Sequence, residues 1–313
     1  MLVACGSPQP APSPPPPPPQ VEQPVADEMP EVAAPPARVD YDLPTSPMSL
    51  VIAGDAMVWT DSTGAIWTMP VAGGEPRQLS EQHSHGFAFH PVVVGTEVFV
   101  SGKRDFWRVA LPAGPVTKMN ARGLLEDPEE VVSDETSIYA TLFKRDEVMA
   151  IPASSGGARQ VMKFRRGVLA IHGDTLYAVS YSNGTLVAVP TSGGKPKQIA
   201  KGFVRPTALA VDDMHAFVYT EKDRTVRRVE LATGATSVLA RELENSDDLV
   251  SDGAWLYTFS WGKPAKLVRI AKDGSREPEV LADDLLSPYH IAIDARAVYV
   301  TSRDQNKIVR LRK

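Results

Sequence analysis

His290-Ile-Ala-Ile-Asp294, Val298-Tyr-Val-Thr301 and Lys307-Ile-Val-Arg-Leu311 follow one another near the end of the chain. Each run is four or five residues long, rich in β-branched or aromatic side chains, and bounded by polar residues. That argues strand, not helix. Working back from this unit, the same order of signals recurs: an apolar strand ending on an acidic or small residue, a four-residue step, then an aromatic strand. The recurrences start at Ser49, Gly86, Glu129, Val168, Thr207, Asp248 and His290, spaced by 37, 43, 39, 39, 41 and 42 residues. Such spacings hold four short antiparallel strands per unit. The pattern predicts an all-β chain folded as a seven-bladed β-propeller, with a six-bladed ring plus an added seventh unit as the alternative.

Strands two and three of the units meet at hydrophilic tips: Ser62-Thr-Gly64, Lys103-Arg-Asp105, Lys144-Arg-Asp146, Ser182-Asn-Gly184, Lys222-Asp-Arg224 and Asp304-Gln-Asn306. Asn183-Gly184 is the strongest hairpin signal, since both residues tolerate positive φ. A second turn separates strands three and four, at Ala72-Gly-Gly-Glu-Pro76, Ser155-Gly-Gly-Ala158, Ser192-Gly-Gly-Lys-Pro196 and Lys272-Asp-Gly274. Glycines at one recurring register are turn formers. No strand-to-helix step follows them, which excludes a phosphate cradle. The seventh unit reaches Lys313 after three strands, and an open sheet edge needs a partner. The alternating stretch 37–43 is expected to supply it.

The unit form, Ala-x-Asp, then VYxT, then an Arg-Val/Ile strand, then GGxP, resembles the NHL, YVTN and streptogramin-lyase-like propellers, with Tyr299-Val-Thr-Ser302 close to a YVTN repeat. The resemblance covers the body of about 265 residues. It implies fold more than activity, because such propellers serve as binding modules, sensors, scaffolds and enzymes. The Gly-His and Trp-Asp pairs of WD40 repeats are missing.

Of the 28 prolines, 15 precede Met48. Residues 1–47 also hold six acids against one base, which accounts for the net charge of −5 and leaves a body with 32 of each sign. A balanced body lacks the basic excess that nucleic acid or anionic lipid would demand. No run of about 18 apolar residues spans a bilayer. Residues 6–36, with the run Pro14–Pro19, have the composition of a disordered, proline-rich tether; polyproline II at ~3.1 Å per residue would extend Pro8–Pro19 to roughly 40 Å. The one cysteine is Cys5. Leu2-Val-Ala-Cys5-Gly6 resembles the lipobox of bacterial lipoproteins, so residues 1–5 read as the remnant of a signal with its start upstream. The resemblance implies acylation of Cys5, a signal peptide and a membrane anchor at the cell envelope. Gly6 in place of Asp favours the outer membrane.

Comparing one register across the blades, four residues before the acidic position of strand one, gives Leu50, His90, Glu130, Val168, Ala208, Asp248 and His290. Blade seven neighbours blade one, so Asp248, His290, Leu50, His90 and Glu130 form one arc at the mouth of the central channel. One residue earlier stand Asp247, Glu129, Tyr289 and Phe89. Two imidazoles with two carboxylates suit ligand binding, a divalent cation or an acid/base pair. His83-Ser84-His85 has metal-ligand spacing. The streptogramin lyases, by resemblance, are metal-dependent enzymes with channel-mouth His and Glu. No residue is carried over from them, since no HxH-plus-Glu pattern recurs at matching blades. His172 and His215 read as structural. So do Trp59, Trp67, Trp107, Trp255 and Trp261, as packing between blades. There is no GxSxG, no HExxH and no cysteine in the body. The expectation is a monomeric, lipid-anchored binding module for an envelope protein, glycan or small ligand, with no required cofactor. A metal-dependent lyase or hydrolase on the arc is the alternative, and an envelope scaffold the second.

Overall fold

In a computed structural model of the chain, residues 37–313 are described except 82–89, 103–105, 112–113, 120–127, 143 and 155–156. Cys5 and the 1–36 segment, His83, His85, Gly86, Phe89, the tip Lys103-Arg-Asp105 and Ser155-Gly156 lie outside the described residues. Among those described there is no helix, and the strands form seven sheets of four.

Blade one is β2 (Pro47–Ala53), β3 (Ala56–Asp61), β4 (Ile66–Pro70) and β5 (Arg77–Ser80); β1 (Arg38–Asp42) precedes it. Blade two is β6 (Pro91–Val94), β7 (Glu97–Ser101), β8 (Phe106–Ala110) and β9 (Val116–Met119). Blade three is β10 (Pro128–Ser133), β11 (Ser137–Leu142), β12 (Glu147–Pro152) and β13 (Arg159–Lys163). Blade four is β14 (Gly167–His172), β15 (Thr175–Ser180), β16 (Thr185–Pro190) and β17 (Lys197–Lys201). Blade five is β18 (Pro206–Val211), β19 (His215–Thr220), β20 (Thr225–Glu230) and β21 (Thr236–Ala240). Blade six is β22 (Leu249–Asp252), β23 (Trp255–Ser260), β24 (Ala265–Ala271) and β25 (Glu279–Leu285). Blade seven is β26 (Pro288–Ile293), β27 (Ala297–Ser302) and β28 (Lys307–Arg312), with β1 as its outer strand.

Antiparallel pairing joins β1 to β28, with Arg38 opposite Leu311 and Asp42 opposite Lys307. The six-bladed alternative is thereby excluded: among the described residues seven apolar clusters form, and each lies between neighbouring sheets. One of them joins blade seven to blade one through Tyr299 and Ile308 against Leu50, Met57 and Trp59. A ring of seven four-stranded sheets results, each with only its short outer strand at an edge.

Strand two of each blade is buried on both faces, as β27 shows along its whole length. Such a strand reads as a nearly continuous apolar run. Strand four is largely exposed, as in β5, and its sequence carries little apolar signal. The Gly-Gly turns hold both glycines at positive φ, 100° and 137° at Gly73 and Gly74, and 93° and 143° at Gly193 and Gly194. At Gly184, φ is 62° and a Cβ would lie 1.9 Å from the Phe203 carbonyl oxygen, so glycine is required by close approach as well as by conformation.

The recurring acidic residue at the end of strand one forms the turn. Asp294 accepts hydrogen bonds from the backbone N–H of Arg296 and Ala297, both at 2.7 Å, and from the Tyr299 hydroxyl at 2.7 Å. Asp134 does the same with Thr136, Ser137 and the Tyr139 hydroxyl. Asp212 accepts from Met214 and His215. These Asx turns lock strand one to strand two. They explain the Ala-x-Asp and VYxT signals as one structural clasp.

Candidate functional site at the channel mouth

At the mouth where strand one begins, a cavity of about 660 Å³ opens. Its polar side is His90, Glu130, Asp247, Asp248, His290 and Arg303. Tyr289, Trp261 and Phe259 add aromatic faces, and Val168, Leu169 and Ala208 form an apolar wall. The volume falls within the range of small-molecule sites.

The backbone that presents these residues is irregular for a reason. β10 and β26 each carry a register shift at the mouth, between Pro128 and Val131 and between Pro288 and Ile291. A bulge leaves an N–H without its ladder partner and re-aims a side chain. The last threonine of the VYxT signal fills the gap: Thr141 Oγ1 accepts from Glu130 N–H and Thr301 Oγ1 from His290 N–H, each at 2.9 Å. In blade six the Thr258 hydroxyl donates to the Asp248 carbonyl at 2.7 Å. Asp248 Oδ2 in turn accepts from the Ile291 N–H at 2.7 Å, tying blade six to blade seven.

His90 and His290 come from blades two and seven, yet their ring centroids are only 6.3 Å apart. Leu50, which stands between them in register, turns fully into the core. It does not line the cavity, which corrects its expected place in the arc. Glu129 also departs: it is absent from the lining and lies 3.9 Å from Arg166. His90, Glu130, Asp247, Asp248, Tyr289 and His290 share one cavity.

The four arc side chains are partly buried, and all four line the cavity. Charge there is poorly hydrated. Burial, with Asp248, Glu129 and Asp247 nearby, raises the Glu130 carboxyl to about 8. Burial likewise raises Asp248 to about 7, against the opposing pull of its backbone hydrogen bonds from Ile291 and Leu249. Asp247 is raised by burial and by Glu221 and Asp248. Burial lowers both imidazoles to about 4, for His90 with the added repulsion of His290. Near neutral pH the histidines are therefore uncharged, while Glu130 retains its proton and can donate a hydrogen bond. His290 Nδ1 is enclosed with no hydrogen-bond partner, as is Arg303 Nε.

No protein-family model matches the chain, and no curated protein matches it. Solved structures do. A catalytically inactive virginiamycin B lyase from Staphylococcus aureus, solved with quinupristin, is 13% identical at a TM-score of 0.73, covering 88% of this chain and 99% of that one. The fold is that of the streptogramin B lyases. Another streptogramin B lyase structure is 14% identical at a TM-score of 0.71, covering 88% of this chain and 96% of that one. BamB from Moraxella catarrhalis is 12% identical at 0.58, with 86% of each chain covered. At these identities the likeness is one of fold.

Two imidazoles and two carboxylates at one mouth are donor types that suit a divalent cation. Among the described residues no three His, Cys, Asp or Glu side chains converge to hold an ion. His90, Glu130, Asp248 and His290 share a cavity without forming a coordination shell.

Two lining residues escaped the sequence reading. Trp261 packs against the cluster between blades six and seven, as expected, and also lines the cavity; Arg303 carries no signal in the register of strand one. Both occupy the position directly after strand two, in blades six and seven. That position sits beside the start of strand one, as the Arg303 N–H to Ser287 carbonyl bond of 3.2 Å shows. Around the ring it reads Ser62, Gly102, Phe143, Tyr181, Glu221, Trp261 and Arg303. Scanning this second register would have found them. The Arg303 guanidinium lies 5.5 Å from the Tyr289 ring centroid. His172 meets Asp213 on the surface at 2.7 Å, outside the cavity.

Proposed function

We propose that this protein is a binding module whose channel-mouth cavity takes a small polar ligand, either free or as the end of a glycan or partner protein. The observation that carries this reading is the make-up of the cavity: His90, His290, Arg303 and the carboxyl groups of Glu130, Asp247 and Asp248 line one opening beside the rings of Tyr289 and Trp261. A ligand that hydrogen-bonds to these polar groups in a confined cavity replaces water there and is fixed in orientation. The aromatic faces of Trp261 and Tyr289 supply apolar contact.

A thermal-shift screen of small polar compounds and short glycans, followed by calorimetry on the hits, tests the reading. His290→Ala and Trp261→Ala should each weaken a hit at least tenfold while leaving the fold intact. Unchanged affinity in both variants places the ligand elsewhere and defeats the proposal.

The second part of the proposal is the address. Cys5 in Leu2-Val-Ala-Cys5-Gly6, followed by the proline-rich 6–36 segment, supports a lipid-anchored protein of the bacterial outer membrane. Expressed with a functional lipoprotein signal sequence ahead of Leu2, the wild type should partition into detergent and Cys5→Ser into water. Identical partitioning of the two refutes the anchor.

A further inference from the structure

The cavity described above carries more than a general polarity, and the inference that follows rests on the binding-module reading. We propose that it selects an organic cation, a ligand whose amine or quaternary ammonium group seats between the carboxylates of Glu130, Asp247 and Asp248 and the rings of Tyr289 and Trp261.

Three observations support it. Three carboxyl groups line the cavity against one guanidinium, and that guanidinium is drawn toward the Tyr289 ring. Among the described residues, none of the three carboxylates is in an ion pair, although carboxylates elsewhere on the ring are paired, as Glu221 with Arg205 at 3.0 Å and Glu279 with Arg269 at 2.7 Å. Aromatic rings stand beside the same carboxylates, and a cation near a ring face gains where it is desolvated. The combination answers a positive group carried on an apolar body. It does not answer an anion, which Asp247 and Asp248 would repel, nor a bare metal ion, for which no three donors converge among the described residues.

The titration behaviour agrees. The groups facing Glu130 are Asp248, Asp247 and Glu129, each adding negative charge, with His90 and His290 uncharged at neutral pH. Arg303 and Tyr289 complete the charged and titratable lining. Burial keeps the Glu130 and Asp248 protons in place; a bound cation favours the charged carboxylates, so binding expels protons and strengthens as pH rises toward 8.5.

The test uses choline and its uncharged carbon isostere 3,3-dimethylbutanol as probes, titrated into the full chain at pH 8.5 by calorimetry. Choline should bind at least tenfold tighter than the isostere. The Glu130→Gln/Asp248→Asn double variant should bring the two within about twofold, its melting temperature confirming that it is folded, and Trp261→Ala should weaken choline more than the isostere. Equal affinity of the two probes for the wild type overturns the cation assignment, as does a choline preference that survives in the double variant. If neither probe binds while a compound from the screen binds in a His290-dependent way, the cation class is wrong and the binding-module reading stands. If that compound ignores His290 and Trp261 as well, both fall.

Discussion

Removing the chain through Asp42 should lower the melting temperature by roughly 10–20 °C, whereas removing residues 1–36 should leave it within about 2 °C. The first deletion takes away the whole of β1. Its backbone pairs along all five residues with β28, and Tyr41, almost fully buried, donates its hydroxyl to the Val71 carbonyl at 2.7 Å across the blade boundary. Arg38 joins Asp284 of blade six at 2.8 Å. Burial of Tyr41 alone is worth about 2–3 kcal/mol, and Leu43, buried beside it, loses its anchor. With the lost ladder bonds and an open β28 edge, the sum is about 5 kcal/mol, a large part of a typical domain's net stability of about 5–15 kcal/mol. The second deletion leaves β1 and all these contacts in place. Differential scanning calorimetry of both truncations decides the matter. Equal melting temperatures would mean that β1 does not close the ring in solution.

Stability should fall between pH 6.5 and pH 8.5, and Glu130→Gln should abolish most of that fall. Glu130 and Asp248 have folded-state values of about 8 and about 7, well above the usual 4.5 and 3.8. The folded state therefore holds their protons more tightly than the unfolded chain does. The stability they contribute is complete below about pH 4 and is lost as pH rises through 7 and 8. His90 and His290 act in the opposite sense. Lowered to about 4 from the usual 6.5, they contribute stability that is present above 6.5 and lost as pH falls through 4. The two effects offset one another between 4 and 6.5, and only the carboxylates act above it. At about 1.4 kcal/mol per pH unit for each proton, tempered by channel water, the loss over that window is on the order of 2 kcal/mol, or roughly 4–8 °C. Glutamine carries no charge, so Glu130→Gln should melt roughly 4 °C above wild type at pH 8.5 and close to it at pH 5.5. A wild-type melting temperature that stays flat from pH 6.5 to 8.5 would show that the carboxyls are better hydrated than their surroundings imply. A stabilising substitution at a cavity residue is what a site kept for binding predicts.

The ring was legible in the sequence because every signal that specifies it is local. Strand two of each blade is an apolar run since both its faces are covered. The Asp-to-Tyr clasp sits within six residues, and the Gly-Gly turns need no distant partner to demand positive φ. Repetition of these signals at about 40 residues sets the number of blades, and with it the mouth where every strand one begins.

What the tertiary structure alone decided is which polar side chains share the cavity. Leu50 and His290 hold the same register, yet Leu50 packs inward and His290 faces the channel, where it meets His90 across the width of blade one. Glu129 and Glu130 are adjacent, but Glu129 turns toward Arg166 and Glu130 toward Asp248. Arg303 and Trp261 join them from a register that carries Ser, Gly, Phe, Tyr or Glu in the other blades. Bulges at the starts of β10 and β26 break the alternation by which a strand's sequence reports its faces. The neighbours that settle each direction stand on other blades, more than 30 residues away, and become neighbours only when the ring closes.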